Sequence, residues 1–224
     1  VRRQRQMCIR DRYNNGTVTL NGGTYTRSKE NGNSSKDSGG NSYYNILNHG
    51  TMTINSGVEV SQGGHFSSMI ANGYYNYSNS SDPRTGYASG TNAATPKLTI
   101  EGGTFSGGLN TVKNDDGAEL TINGGDFSNV SQAVVQNHHI TIINGGTFDA
   151  TKAKYVVDNA GDKSAHDNGK MTITGGIFKG IIHDRNTGNA LIITGGSFTD
   201  QNAKDYANGT DKENVTIITG DTSN

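Results

Sequence analysis

Along most of the chain, short runs of alternating aliphatic and hydroxyl residues end in a pair of glycines, and an aromatic follows two positions later. The pattern reads V-T-L-N-G-G-T-Y from Val18, L-T-I-E-G-G-T-F from Leu98, L-T-I-N-G-G-D-F from Leu120, M-T-I-T-G-G-I-F from Met171 and L-I-I-T-G-G-S-F from Leu191. Imperfect copies begin at Met52, at Ile140, read with one extra residue, and at Val215. Alternation with period two is the mark of a strand that buries one face. In Leu120-Thr121-Ile122 the aliphatics therefore point inward and the β-branched threonine outward.

The spacing of the copies decides the architecture. The first glycines Gly102, Gly124 and Gly145 lie 22 and 21 residues apart, and Gly175 and Gly195 lie 20 apart. A unit near twenty residues is too short for a propeller blade or a helix pair, and no 3.6-residue apolar period supplies a helix. What remains is a coil of two or three short strands stacked on the next coil at about 4.8 Å, each strand burying one face inside a narrow tube. Eight candidate coils are present. The glycine pair turns the corner, and Tyr25, Phe105, Phe127, Phe148, Phe178 and Phe198 enter the tube as an internal aromatic stack.

A second strand signature places an aliphatic two positions before asparagine: Ile46 with Asn48, Ile70 with Asn72, Val112 with Asn114, Val135 with Asn137 and Val157 with Asn159. Ile182 with Asp184 departs from it. Asparagine tolerates tight turns, and stacked amides can hydrogen-bond one another along the axis, so an asparagine ladder is expected.

Composition changes this picture in three places. Hydrophobic residues make up 30% of the 224, which is low for a globular core, so the few aliphatics must be placed repetitively. Their concentration in alternating runs excludes a disordered chain. A net charge of -1 gives no electrostatic footprint for nucleic acid or an anionic membrane. Residues 1–12, V-R-R-Q-R-Q-M-C-I-R-D-R, carry five arginines, the single cysteine and no glycine. They resemble translated sequencing-adapter read-through from metagenomic assembly, a non-native or linker segment ahead of one domain spanning 13–224. With Cys8 set aside, no disulfide framework or thiolate metal site is possible. No signal peptide or membrane-spanning run is visible, so an export signal and an anchor are expected outside this fragment of a longer protein.

The Thr-Ile-x-Gly-Gly-Thr-Phe repeats with trailing Val-x-Asn, from about Tyr13 to Gly220, resemble the pectate-lyase-like repeats of large bacterial cell-surface proteins. The resemblance implies an all-β, right-handed parallel β-helix solenoid of about eight coils. It implies an extracellular or cell-surface location and an adhesin-like stalk whose loops contact glycans, host surface proteins or neighbouring-cell surface proteins. The same scaffold also serves polysaccharide lyases, glycoside hydrolases and phage tailspikes, so fold alone does not assign activity.

Candidate chemistry falls mainly on insertions, which protrude without disturbing the core. The stretch Arg27–Asn41 is polar, and Ala160–Gly169 carries Asp, Lys and His. The stretch Gly73–Pro96 concentrates Tyr74, Tyr75, Tyr77 and Tyr87 with Asp82 and Arg84, a ligand-binding candidate because tyrosine faces stack on sugars while the hydroxyls stay wet. Carboxylates available for acid–base work are Asp115-Asp116, Asp158, Asp162 and the run His183-Asp184-Arg185, but none matches a catalytic motif. No catalytic residue, metal site or cofactor is assigned: His138-His139 point to opposite faces, and calcium-binding nonapeptides are absent. Outward threonines suit ice binding at Thr17, Thr19, Thr51 and Thr53, but Lys97, Glu119 and Lys170 break the array. Neither end carries a recognisable cap, so the isolated fragment is expected to associate or fray.

Overall fold

The computed structural model describes residues 12–27, 44–74, 95–160, 168–186 and 188–218. It is an all-β solenoid of parallel strands, nearly closed, and compatible with a β-helix. Every strand pairing is parallel, as stacked coils require.

Three columns of strands run along it. The asparagine column is a seven-stranded sheet: Arg12–Asn14, Ile46–Asn48, Ile70–Asn72, Asn110–Asn114, Ala133–Asn137, Tyr155–Asn159 and Ile182–Asp184. The other two columns are halves of one 13-stranded sheet. The long strands Thr17–Arg27 and Thr51–Gln62 run through both halves. Beyond them one half continues as Lys97–Ile100, Glu119–Ile122, Ile140–Ile143, Lys170–Ile173 and Leu191–Ile193, the aliphatic column. The other half, the aromatic column, continues as Thr104–Gly107, Asp126–Ser128, Thr147–Asp149, Ile177–Lys179, Gly196–Phe198 and Val215–Ile217.

Alternation and burial agree along these strands. Leu120 and Ile122 are buried and Thr121 between them is not. Phe105, Phe127, Phe148, Phe178 and Phe198 are buried and stacked face to face, with centroids 4.6–4.8 Å apart, the rung spacing itself. The second glycine of each pair is obligatory. Gly125 sits at φ +115°, and a Cβ there would lie 3.0 Å from the Gly103 carbonyl oxygen and 3.1 Å from the Phe127 ring.

Two imperfect copies read differently in three dimensions. The Ile140 copy has no extra residue: Thr141 pairs with Leu120 and Met171, so a threonine occupies the inward aliphatic position while Ile140 and Ile142 face out. Buried Thr141 is satisfied there by donating its hydroxyl to Asn137 Oδ1 at 2.7 Å. The Val215 copy does not add to the aliphatic column; Val215–Ile217 pairs with Gly196–Phe198 and prolongs the aromatic column. What diverts it is the intervening 3-10 helix Gln201–Tyr206, which buries Ala203 and packs against Leu191–Ile193 and Val215–Ile217. That helix covers the aliphatic column at this end, while Val215–Ile217 has no strand on its outer edge among the described residues. Asp200 caps the helix by accepting from Asn202 N–H, and the other carboxylate oxygen accepts from Ile182 N–H, satisfying a donor of the last asparagine-column strand.

Candidate functional site

The asparagine ladder forms as the sequence predicts. Each Nδ2 donates to the next rung's Oδ1: Asn14 to Asn48 (2.7 Å), Asn48 to Asn72 (2.7 Å), Asn72 to Asn114 (2.8 Å), Asn114 to Asn137 (2.9 Å), Asn137 to Asn159 (2.8 Å) and Asn159 to Asp184 (3.1 Å). The amides also close the corner that follows, as when Asn114 Nδ2 donates to the carbonyls of Ala118 and Ile140. All donors point the same way, so a carboxylate suits the last position. Asp184 accepts and has no Nδ2 to satisfy.

This corner is where two of the insertions leave. Residues 75–94 and 161–167 both lie between an asparagine-column strand and the next aliphatic-column strand, whereas residues 28–43 lie between the aromatic and asparagine columns. Elsewhere the ladder corner is closed by a few residues, such as Asp115–Ala118 or His138–His139. Of the six predicted binding residues, Tyr74 is described. It is buried, its ring centroid lies 4.4 Å from that of His49, and its backbone exchanges hydrogen bonds with Asp116. Tyr74 thus roots the insertion onto the solenoid and adds nothing to an exposed aromatic surface. Tyr75, Tyr77, Asp82, Arg84 and Tyr87 lie outside the described residues.

A second polar system lies on the outer face of the asparagine column. In register there are Ala71, Lys113, Gln136, Asp158 and His183, one on each of five successive rungs. Asp158 is fully buried, and its carboxylate accepts from Gln136 Nε2 (2.9 Å), Arg185 Nε (3.0 Å) and Arg185 Nη2, with His183 Nδ1 at 2.8 Å. Burial pushes the Asp158 carboxyl up, but the hydrogen bonds from Arg185, Gln136 and His183 and the Arg185 charge more than offset this and hold it below the usual carboxylate range. The Tyr155 ring stacks on the His183 imidazole, with centroids 4.4 Å apart and planes 8° from parallel, and Lys154 Nζ sits 5.0 Å from the Tyr155 centroid. Chemically this is a carboxylate that orients an imidazole and a guanidinium toward the surface.

Asp158, His183 and Arg185 were acid–base candidates from the sequence, but nothing there joined them: Asp158 follows Val157 by one residue, whereas Asp184 follows Ile182 by two. The pairing explains the offset: Asp158 matches His183, and Asp184 matches Asn159 in the ladder. Gln136 and Tyr155 were missed. The one signal available was a polar residue wedged directly between the aliphatic and the asparagine. The other candidates do not join this group. Asp115 pairs with Lys113 at 2.7 Å, Asp116 closes the Tyr74 bridge, and Asp162 lies outside the described residues. His139 Nδ1 lies 3.2 Å from the Ala118 carbonyl oxygen. Among the described residues no three His, Cys, Asp or Glu side chains gather as metal ligands. Comparison with family models, with curated proteins and with solved structures finds no match to this chain.

Proposed function

We propose that this chain is a segment of a secreted or cell-surface bacterial stalk, a right-handed parallel β-helix of the pectate-lyase-like kind with about eight coils, which displays its insertions to glycans or to host or neighbouring-cell surface proteins. The observation that carries the reading is the corner after the asparagine ladder. On four rungs it is closed in two to four residues, and yet two insertions of different length are accommodated there without a break in the ladder. A scaffold whose polar groups are satisfied rung to rung tolerates such inserts because they leave the core untouched.

The test keeps Tyr74, which packs on the solenoid, and changes Tyr75, Tyr77 and Tyr87 to Ser. Glycan-array binding should be lost while the β-sheet circular dichroism and the melting temperature stay unchanged. Unchanged binding would remove the insertion from the reading.

A second reading, a polysaccharide-degrading enzyme or tailspike segment, is favoured by the buried Asp158 with His183 and Arg185. Against it, among the described residues, stands the pairing of the nearest candidates: Asp115 is bound to Lys113 and Asp184 accepts in the ladder, so neither joins Asp158. Depolymerisation of a polysaccharide panel, abolished by Asp158→Asn in a folded protein, would move the assignment to this alternative.

A further inference from the structure

On the outer face of the asparagine column the groups around Asp158 are held from behind and exposed in front. From behind, Asn110 Nδ2 donates to Ser68 Oγ and to Gln136 Oε1, both at 3.1 Å, which fixes the Gln136 amide with Nε2 toward Asp158. Asp158 takes the side-on edge of the Arg185 guanidinium, Nε and Nη2, and faces Nδ1 of His183, whose ring is pinned by Tyr155. In front, the Arg185 side chain is 42% exposed and that of His183 37%. Arg185 Nη1, the second N–H of Nη2 and His183 Nε2 have no hydrogen-bond partner among the described residues, and exposed Lys154, beside the Tyr155 ring, has no ion-pair partner there. The neighbouring acids are engaged elsewhere: Asp184 accepts from Asn159 and Asn186, and Asp200 from Asn202 and Ile182.

We infer that this outer face is a binding site for a carboxylate, carried by a small acid or by an acidic sugar, with Arg185, His183 and Lys154 as its contacts. The guanidinium is planar with five N–H donors, and one edge is spent on Asp158. The end-on edge that remains, Nη1 with the second N–H of Nη2, matches the two oxygens of a second carboxylate. Because Asp158 fixes the plane of that edge before a ligand arrives, little ordering cost is left for binding. Asp158 compensates one cation, and Lys154 adds another beside the same aromatic pair. With Nδ1 of His183 turned to Asp158, its Nε2 becomes a further donor on protonation. A neutral ligand gains nothing from this surplus of positive charge, and a cation is repelled by it. Coil stacking does not require the arrangement, since Ala71 holds the same register position and Lys113 is paired with Asp115. The site is made of strand and corner residues of the solenoid, so it stands or falls independently of the insertion that carries Tyr75, Tyr77 and Tyr87.

NMR titration of the whole chain with sodium acetate and with sodium glucuronate, at fixed pH and ionic strength, tests this. Saturable shifts of the Arg185 Nε–H and His183 ring signals are expected with carboxylate, and none with glucose or with sodium chloride at the same ionic strength. Equal affinity for acetate and glucuronate assigns the site to a small acid, whereas glucuronate binding tighter by about tenfold or more assigns it to an acidic sugar. Arg185→Lys keeps the charge but loses the fork, and should weaken binding about tenfold or more. Lys154→Gln leaves Asp158 and its partners in place and should weaken it about threefold, so the site remains testable even where Arg185→Lys disturbs the fold. Shifts that rise without saturation, or that chloride reproduces, overturn the inference. So does an affinity that neither substitution changes.

Discussion

Two of the places where the described residues bury polar side chains, the corner ladder and the outer face around Asp158, are built on different logic. In the ladder one neutral residue type repeats, each amide donating to the next and closing its own turn, so no rung depends on a unique partner. Around Asp158 the register column changes at every rung, from Ala71 through Lys113, Gln136 and Asp158 to His183, and one charge is held by three different residues. Repetition is what a fold requires of its own support. A singular buried charge is not needed to stack coils, since Ala71 and Gln136 stack in the same column without one. That makes the outer face the place where this solenoid departs from scaffold chemistry.

Substitutions sharpen the contrast, and the largest effect sets its scale. Ile122→Asp puts an unpaired charge inside the tube and should cost more than about 4 kcal/mol, read as loss of the cooperative urea transition. Next comes Asn114→Asp, which replaces a donor by a carboxylate facing Asn137 Oδ1 and the carbonyls of Ala118 and Ile140. A loss of roughly 3 kcal/mol or more in the urea midpoint is expected, from several unsatisfied buried acceptors. A neutral outcome there would mean that water replaces the ladder.

Asp158→Ala should cost less, about 1–3 kcal/mol, because the exposed portions of Arg185 and His183 can rehydrate. This effect depends on pH with a definite sign. The folded carboxyl titrates below its unfolded value of about 3.9, so its stabilisation is complete above that value and lost as pH falls through the lower folded pKa. Wild type and Asp158→Ala should therefore converge in stability on acidification below about pH 4, and a gap that persists at lower pH would show that packing, not charge, is what the substitution removed. The smallest effects belong to the ends and the outside. Thr121→Asp should stay within about 0.5 kcal/mol, and Asp184→Asn within about 1 kcal/mol, because the last ladder position needs only an acceptor. A large loss on Thr121→Asp would reverse the inward and outward faces assigned to the aliphatic column.

The repeat determined the strands, the inward faces of Leu120, Ile122 and the phenylalanines, and the amide ladder with its departure at Asp184, because a period-two pattern and a recurring coil leave few ways to bury so few aliphatics. It misjudged two copies for one reason. Ile140-Thr141-Ile142 reads by composition as inward isoleucines, and only the register with Leu120 and Met171 shows Thr141 inside, where Asn137 makes the hydroxyl affordable. Val215-Thr216-Ile217 carries the aliphatic-column pattern, yet the helix Gln201–Tyr206 occupies the place beside Leu191–Ile193 and sends it to the aromatic column. The meeting of Gln136, Asp158, His183 and Arg185 was likewise decided in three dimensions. Residues more than twenty positions apart become neighbours only when coils of unequal length stack, and the pairing register, not the spacing in the chain, sets which side chains face one another.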